Sequence, residues 1–289
     1  MNRIILFLLI CWMVLSSNAQ ERPSAVSINA IHEKWSIQEA SRSKIQFSAP
    51  LWTNRHFRLS GGMHYNFYRM NFEDKSLLSD NQGCNMGGSH HLYGPQLNLF
   101  FQGKIAGRSV MGTASVMADF SEYGFGKVTG FVVAMTPLKQ TASTYMGVGL
   151  IGLLNTTSPF PFFPIFTLRH KFDDRLSIEL MLPQVHVKYA FPKSGTLFSA
   201  GMSIDGERFY VRPNQEDLPR TCLYSRSLMK PAIGCVRPIG RQLTLELKGG
   251  VVIPMTSRLY KQTGHDELLE FSKPVGGFVS LGVSWRLMK

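Results

Sequence analysis

Beyond its first fifteen residues the chain has no apolar run of 18 residues, so no membrane-crossing helix is encoded there. A mean hydropathy of -0.03 is too polar for a bundle of such helices. Cysteine is scarce, four in 289 residues, and no Cys-x-x-Cys pair occurs, which removes the usual spacing of zinc and thiol-redox sites. Acidic residues are few as well: 19 against 31 Lys and Arg, a formal net charge of +12. Apolar residues recur nowhere at sustained helical spacing.

What is present begins with a leader. Met1-Asn2-Arg3 contributes one positive charge, residues 4–15 are uninterruptedly apolar, and Ser17-Asn18-Ala19 offers a small-x-small cleavage pattern. A run this short is a secretory signal (residues 1–19) and not a span; cleavage is expected after Ala19. Cys11 follows Ile10 where a lipoprotein signal would carry a small residue, so lipidation is not expected. In an exported chain the basic excess suits an anionic membrane surface and argues against nucleic acid. Three cysteines remain, Cys84, Cys222 and Cys235. On one extended strand the last two would stand roughly 43 Å apart at about 3.3 Å per residue, so any disulfide must include Cys84.

A period of two is the informative signal. Phe57, Leu59, Gly61, Met63, Tyr65 and Phe67 alternate with His56, Arg58, Ser60, Gly62, His64 and Asn66. Leu243, Leu245, Leu247, Val251 and Ile253 alternate with Gln242, Thr244, Glu246, Lys248 and Gly250, and Val279, Leu281, Val283, Trp285 and Leu287 with Phe278, Ser280, Gly282, Ser284 and Arg286. Strands of ten residues or more, with Arg, Lys and Glu in mid-strand, favour a membrane barrel with a wet lumen over a soluble β-sandwich.

Eleven candidate strands lie near 56–71, 90–103, 108–120, 127–136, 142–152, 162–171, 175–190, 196–211, 221–237, 242–253 and 275–288. A barrel with both ends on one side needs an even number. A break at Leu182-Pro183, where proline removes a ladder donor, makes twelve. The expected fold is therefore all-β, a single antiparallel transmembrane barrel of about twelve strands over residues 56–289, with ten or fourteen as alternatives. Residues 20–55 are left as an N-terminal segment: a further hairpin (25–35 and 42–49), or a piece in the lumen or periplasm. Parity puts 72–89, 121–126, 153–161, 212–220 and 254–274 outside the cell, and 104–107, 137–141, 172–174, 192–195 and 238–241 in the periplasm.

Pro164-Ile165-Phe166-Thr167-Leu168-Arg169, Arg175-Leu176-Ser177-Ile178 leading into Leu182-Pro183, and Gly282-Val283-Ser284-Trp285-Arg286-Leu287 resemble a family of uncharacterised outer-membrane β-barrel proteins of Gram-negative, Bacteroides-type bacteria. The resemblance covers most of residues 45–289 loosely. It implies a cell outer membrane location, with membrane lipid, lipopolysaccharide and the barrel insertion machinery as partners, and brings no catalytic residues. Many barrels end on an aromatic residue, whereas this chain runs on from Trp285 to Lys289.

No histidine has serine two positions on, so the His-x-Ser pair of outer-membrane phospholipases is missing, and no enzyme, cofactor or metal is expected. His90 and His91, adjacent on a strand, point to opposite faces and do not chelate one ion. Asp173-Asp174 reads as turn chemistry. The functional hint is the candidate lumen face: Arg58, Lys104, Lys127, Arg169, Lys188, Lys248 and Arg286 against Asp119, Glu179, Asp205 and Glu246. A cationic lumen favours small anionic solutes and a channel; charges that pair across it instead make a plugged structural or surface-interaction barrel. An outer-membrane hydrolase is the distant third reading.

Overall fold

The computed structural model describes residues 26–36, 40–70, 88–105, 107–154, 161–181, 184–213, 217–262, 266–271 and 273–287. The leader, Cys84 and Pro183 lie outside the described residues. In chain order the strands are β1 (Val26–Trp35), β2 (Ser41–Thr53), β3 (Phe57–Met70), β4 (Gly88–Ile105), β5 (Arg108–Ser121), β6 (Gly124–Gln140), β7 (Thr144–Leu154), β8 (Phe162–Lys171), β9 (Leu176–Met181), β10 (Gln184–Phe191), β11 (Thr196–Val211), β12 (Cys222–Ile239), β13 (Leu243–Lys261), β14 (Glu267–Glu270) and β15 (Gly276–Leu287).

Every neighbouring pair is antiparallel, and β1 closes the ring on β15, from Val26↔Leu287 to Trp35↔Phe278. β14 pairs only with β13, so it is a flap and the wall has fourteen strands. That is the largest of the three counts the sequence allows. Residues 26–53 are the missing hairpin: β1 and β2 pair with each other and with the walls on either side. The break near Pro183 divides β9 from β10, which pair antiparallel from Gln184↔Met181. The expected loop 254–274 is shorter than its range, because β13 continues to Lys261 against β12. Cys222 and Cys235 lie on one strand, β12, beyond bridging distance of each other.

Connections at one end are tight. Gly107, Gly195 and Gly240 turn there with positive φ, which glycine adopts without a Cβ clash. The opposite end carries the longer connections. Strand length is uneven around the ring: β4, β12 and β13 have 18, 18 and 19 residues, whereas β9 has 6 and β10 has 8. The last β10 partner of β11 is Val185, opposite Met202, so Ser203–Val211 is bonded only to β12. That half of β11 leans across the interior and contacts β4, seven strands away in the wall.

Inside and outside are inverted relative to a water-soluble barrel. The outer face is apolar and open: Ile233 and Phe162 are each 71% exposed, with Ile45, Leu97, Val132, Leu150 and Leu281 also bare. Aromatic side chains collect on it in two bands. Trp52 stacks on Phe57 and Phe191 meets Phe198 at the short-turn end, and Tyr93, Phe120 and Phe125 pack together at the other. The packed core lies within the long-loop half, where Trp35, Tyr68, Phe209, Tyr224, Leu228 and Leu259 are almost fully buried.

Candidate functional site

The upper half of β11 organises the interior because both of its faces are covered. One face presents Asp205, Glu207 and Phe209 to β1–β4. Arg42 on β2 meets three carboxylates, Glu33 at 3.0 Å, Asp205 at 2.7 Å and Glu207 at 3.0 Å. Lys230 on β12 bridges Glu33 and Asp205, each at 2.9 Å, and Arg226 donates from Nε to Glu207 at 2.6 Å while lying over the Trp35 ring. Three cations thus match three carboxylates in a cluster that is buried except at Asp205, whose side chain is 33% exposed. Glu207 Oε1 faces Arg42 through charge alone, without an aligned hydrogen bond. Above them Phe209 packs on Tyr68, His90 and Tyr224 at 4.8, 4.8 and 4.9 Å.

The other face of β11 carries Arg208 and Tyr210 onto β5 and β6. Arg208 pairs with Asp119 at 2.9 Å and donates to Thr129. His64 Nε2 stands 3.4 Å from Asp119, and Lys127 is buried nearby. Gly126 leaves the room that the Tyr210 ring takes, since a Cβ there would lie 2.1 Å from its hydroxyl. Together the two clusters fill the long-loop half.

Toward the short-turn end the lumen is looser. Lys188 and Arg169 flank Glu179, and Lys248 pairs with Glu246 at 2.8 Å. Asn29, Ile31, Lys44, Gln46, Glu246, Gly282 and Ser284 line a cavity of about 180 Å³. Of the candidate lumen charges, Asp119, Lys127 and Asp205 enter the packed half. Arg169, Glu179, Lys188, Glu246 and Lys248 form the looser pairs, and Arg58, Lys104 and Arg286 are exposed near strand ends.

Alternation places His64 on the inner face, where the structure has it, but Glu33, Arg42, Glu207, Arg208, Arg226 and Lys230 were not found by it. The signal they share is no more than a charge within a strand. Glu33, Asp205 and Glu207 bring three carboxylate oxygens within 4.8 Å of one another, a donor set that a hard cation uses. Here Arg42, Arg226 and Lys230 already neutralise them, so the residues do not fit a divalent ion. His90 stacks on Phe209 while its neighbour His91 accepts or donates with the Tyr65 hydroxyl at 2.9 Å on the other face. On the outer wall His32 Nδ1 lies 2.8 Å from Ser43 Oγ across β1 and β2. Among the described residues no carboxylate or amide is bonded to His32, so the orienting third group of a hydrolase is not in place.

In the turn between β8 and β9, Asp173 Oδ1 accepts from the backbone N–H of Leu176 and Arg175. These bonds hold its carboxyl below the usual carboxylate range.

No family model and no curated protein matches the chain. Solved structures similar to it include the toluene transporter TodX of Pseudomonas putida, 9% identical over 94% of this chain and 92% of that one, TM-score 0.40. The β domain of the Bordetella autotransporter BrkA is 7% identical over 92% and 100%, TM-score 0.37, and a mutant of the Rh. blastica porin 7% identical over 91% and 99%, TM-score 0.31. At these values the likeness bears on nothing beyond the closed antiparallel wall already described.

Proposed function

We propose that this chain is an integral outer-membrane β-barrel that passes small solutes and stands here with its outer mouth closed. The carrying observation is the outer surface: a largely apolar face between two aromatic bands on a closed ring of even strand number. Phe101, opposite Phe57 of the short-turn band, and Tyr93 of the other are eight residues apart on β4, which at about 3.4 Å per residue and a tilt of about 40° spans roughly 20 Å, close to the height of an outer-membrane hydrocarbon belt. The long-loop end then faces outside and the short-turn end the periplasm, after export through the leader and insertion beside lipid and lipopolysaccharide. The basic, looser lumen on the periplasmic side supports small, anionic solutes. The reading assigns no catalytic step.

The matched charge network favours a second reading, a permanently plugged structural or surface-interaction barrel. Liposome flux separates the two. Wild type passes small anions slowly, and Glu207→Ala with Arg226→Ala raises the flux. If neither protein passes any solute in well-refolded liposomes, transport is wrong and the plugged barrel stands.

A further inference from the structure

Through the middle of β6, β7 and β8 the wall is apolar on both faces. The register fixes which residues look inward: Ser115, bonded to Asn98 in the interior, stands opposite Phe131, and the same row continues through Val133, Ile151, Phe163, Ile165 and Met181. Their neighbours Val132, Leu150 and Phe162 are bare on the outside. A wall that only separates lipid from a wet lumen alternates apolar with polar. This one presents two apolar faces, and its inner one is partly accessible.

Two further features adjoin that inner face. Toward the periplasm, Arg169 and Lys188 share the single carboxylate of Glu179, leaving one positive charge unmatched within the cluster. Toward the outside, β9 is six residues long, roughly 15 Å along the barrel axis at about 3.3 Å per residue and a tilt of about 40°, against a lipid belt about 25 Å tall. The wall therefore dips between Phe162–Phe166 of β8, which pairs with no residue of β9, and the unpaired edge of Ser203–Val211, and the apolar face borders the slot between them.

We propose that this slot binds a single-chain amphiphile with an anionic head group. The head lies against Arg169 and Lys188, and the chain runs along Ile165, Ile151 and Phe163. Arg169 and Phe163 are six residues apart on β8, roughly 20 Å, the reach of a long acyl chain, and a dodecyl chain covers the greater part of it. A hard inorganic anion uses only the cationic end of this surface, and a neutral hydrocarbon only the other; an anionic amphiphile uses both. This deepens the transport reading and rests on it.

The test uses the full mature chain refolded into lipid nanodiscs, with a fluorescent dodecanoate analogue as the probe. Dodecanoate and dodecyl phosphate compete for a saturable site, and dodecanol competes about tenfold more weakly, the loss expected when one charge-assisted contact goes. Whichever of the two anions is held more tightly identifies the source, a free carboxylate or a lipid phosphate. Arg169→Gln with Lys188→Gln removes the preference for the acid over the alcohol. Ile165→Trp fills the slot without adding charge and abolishes saturable binding. Equal competition by dodecanol and dodecanoate in wild type, or wild-type binding by both variants, overturns the proposal. Each preparation is checked for the gel shift on heating that marks a folded barrel. Lost binding with flux intact removes only this site, and lost flux with binding intact removes only transport.

Discussion

At the scale of single residues the interior holds two kinds of ion pair, and they differ in what their loss should cost. Glu207 is fully buried and neutralises Arg42 and Arg226 together. Glu207→Ala takes the carboxylate from buried Arg226 while Arg42 keeps Glu33 and Asp205, and breaking a buried pair costs about 3–5 kcal/mol. Urea titration of the refolded barrel followed by tryptophan emission reads this directly, because Arg226 lies over Trp35. Lys261 pairs with Asp266 in solvent, with more than half of each side chain exposed, and Lys261→Ala should change stability by less than about 1 kcal/mol. Asp173 gives the pH-dependent case. Its folded carboxyl titrates below its unfolded value, so its stabilisation is fully present above the unfolded value and is lost as pH falls through the folded one. Asp173→Asn should therefore flatten the acid limb of the stability–pH curve and leave the curve near neutrality with the same slope as wild type; an unchanged acid limb would count against the turn bonds.

At the scale of elements, the outcome depends on where β11 lies. Gly126→Val would drive a side chain into the Tyr210 ring and lift the upper half of β11 off β6. The expected result is overpacking worth about 1–3 kcal/mol together with faster liposome flux than wild type, and lost stability without any gain in flux would detach this contact from the closure. The sequence shows why such contacts are hard to read. β3, β13 and β15 were legible because one face meets lipid and the other a lumen, which writes period two into the residues. β1 and β2 were left undecided because His32 and Lys34 interrupt the outer face of one and Pro50 ends the regular pairing of the other. The upper half of β11 has both faces packed, so Glu207 and Arg208, adjacent and both charged, serve different clusters and no alternation survives. Its approach to β4 joins segments more than a hundred residues apart, a contact that no local pattern encodes. The apolar inner face of β6–β8 escaped for the same reason: Phe131-Val132-Val133 and Phe162-Phe163 read as greasy runs with no inside or outside.

At the scale of the whole molecule the decisive property is the sign of the environment outside the barrel. In water, the exposed belt of Ile, Leu, Val and Phe would be an aggregation surface far larger than soluble proteins carry. In lipid it is the favourable state, and closure of β1 on β15 leaves no full-length strand edge open to the bilayer. Ile233 distinguishes the two without reference to function. It is 71% exposed, on the outer face of β12 between Ala200 and Gly249, and touches nothing in the packed interior. On a soluble barrel Ile233→Lys would be neutral or would improve solubility, as surface changes stay within about 0.5 kcal/mol. Inside a lipid belt the same change costs up to about 2–4 kcal/mol, the midplane value. Refolding yield into thin-bilayer liposomes and the urea midpoint in those liposomes should both fall by that measure. The interior charges, Lys230 and Arg226 of the same strand included, lie on the opposite face of the wall and keep their pairs, so tryptophan emission of the folded fraction stays as in wild type. A variant as stable as wild type in the bilayer would place the belt outside lipid and remove the membrane reading altogether.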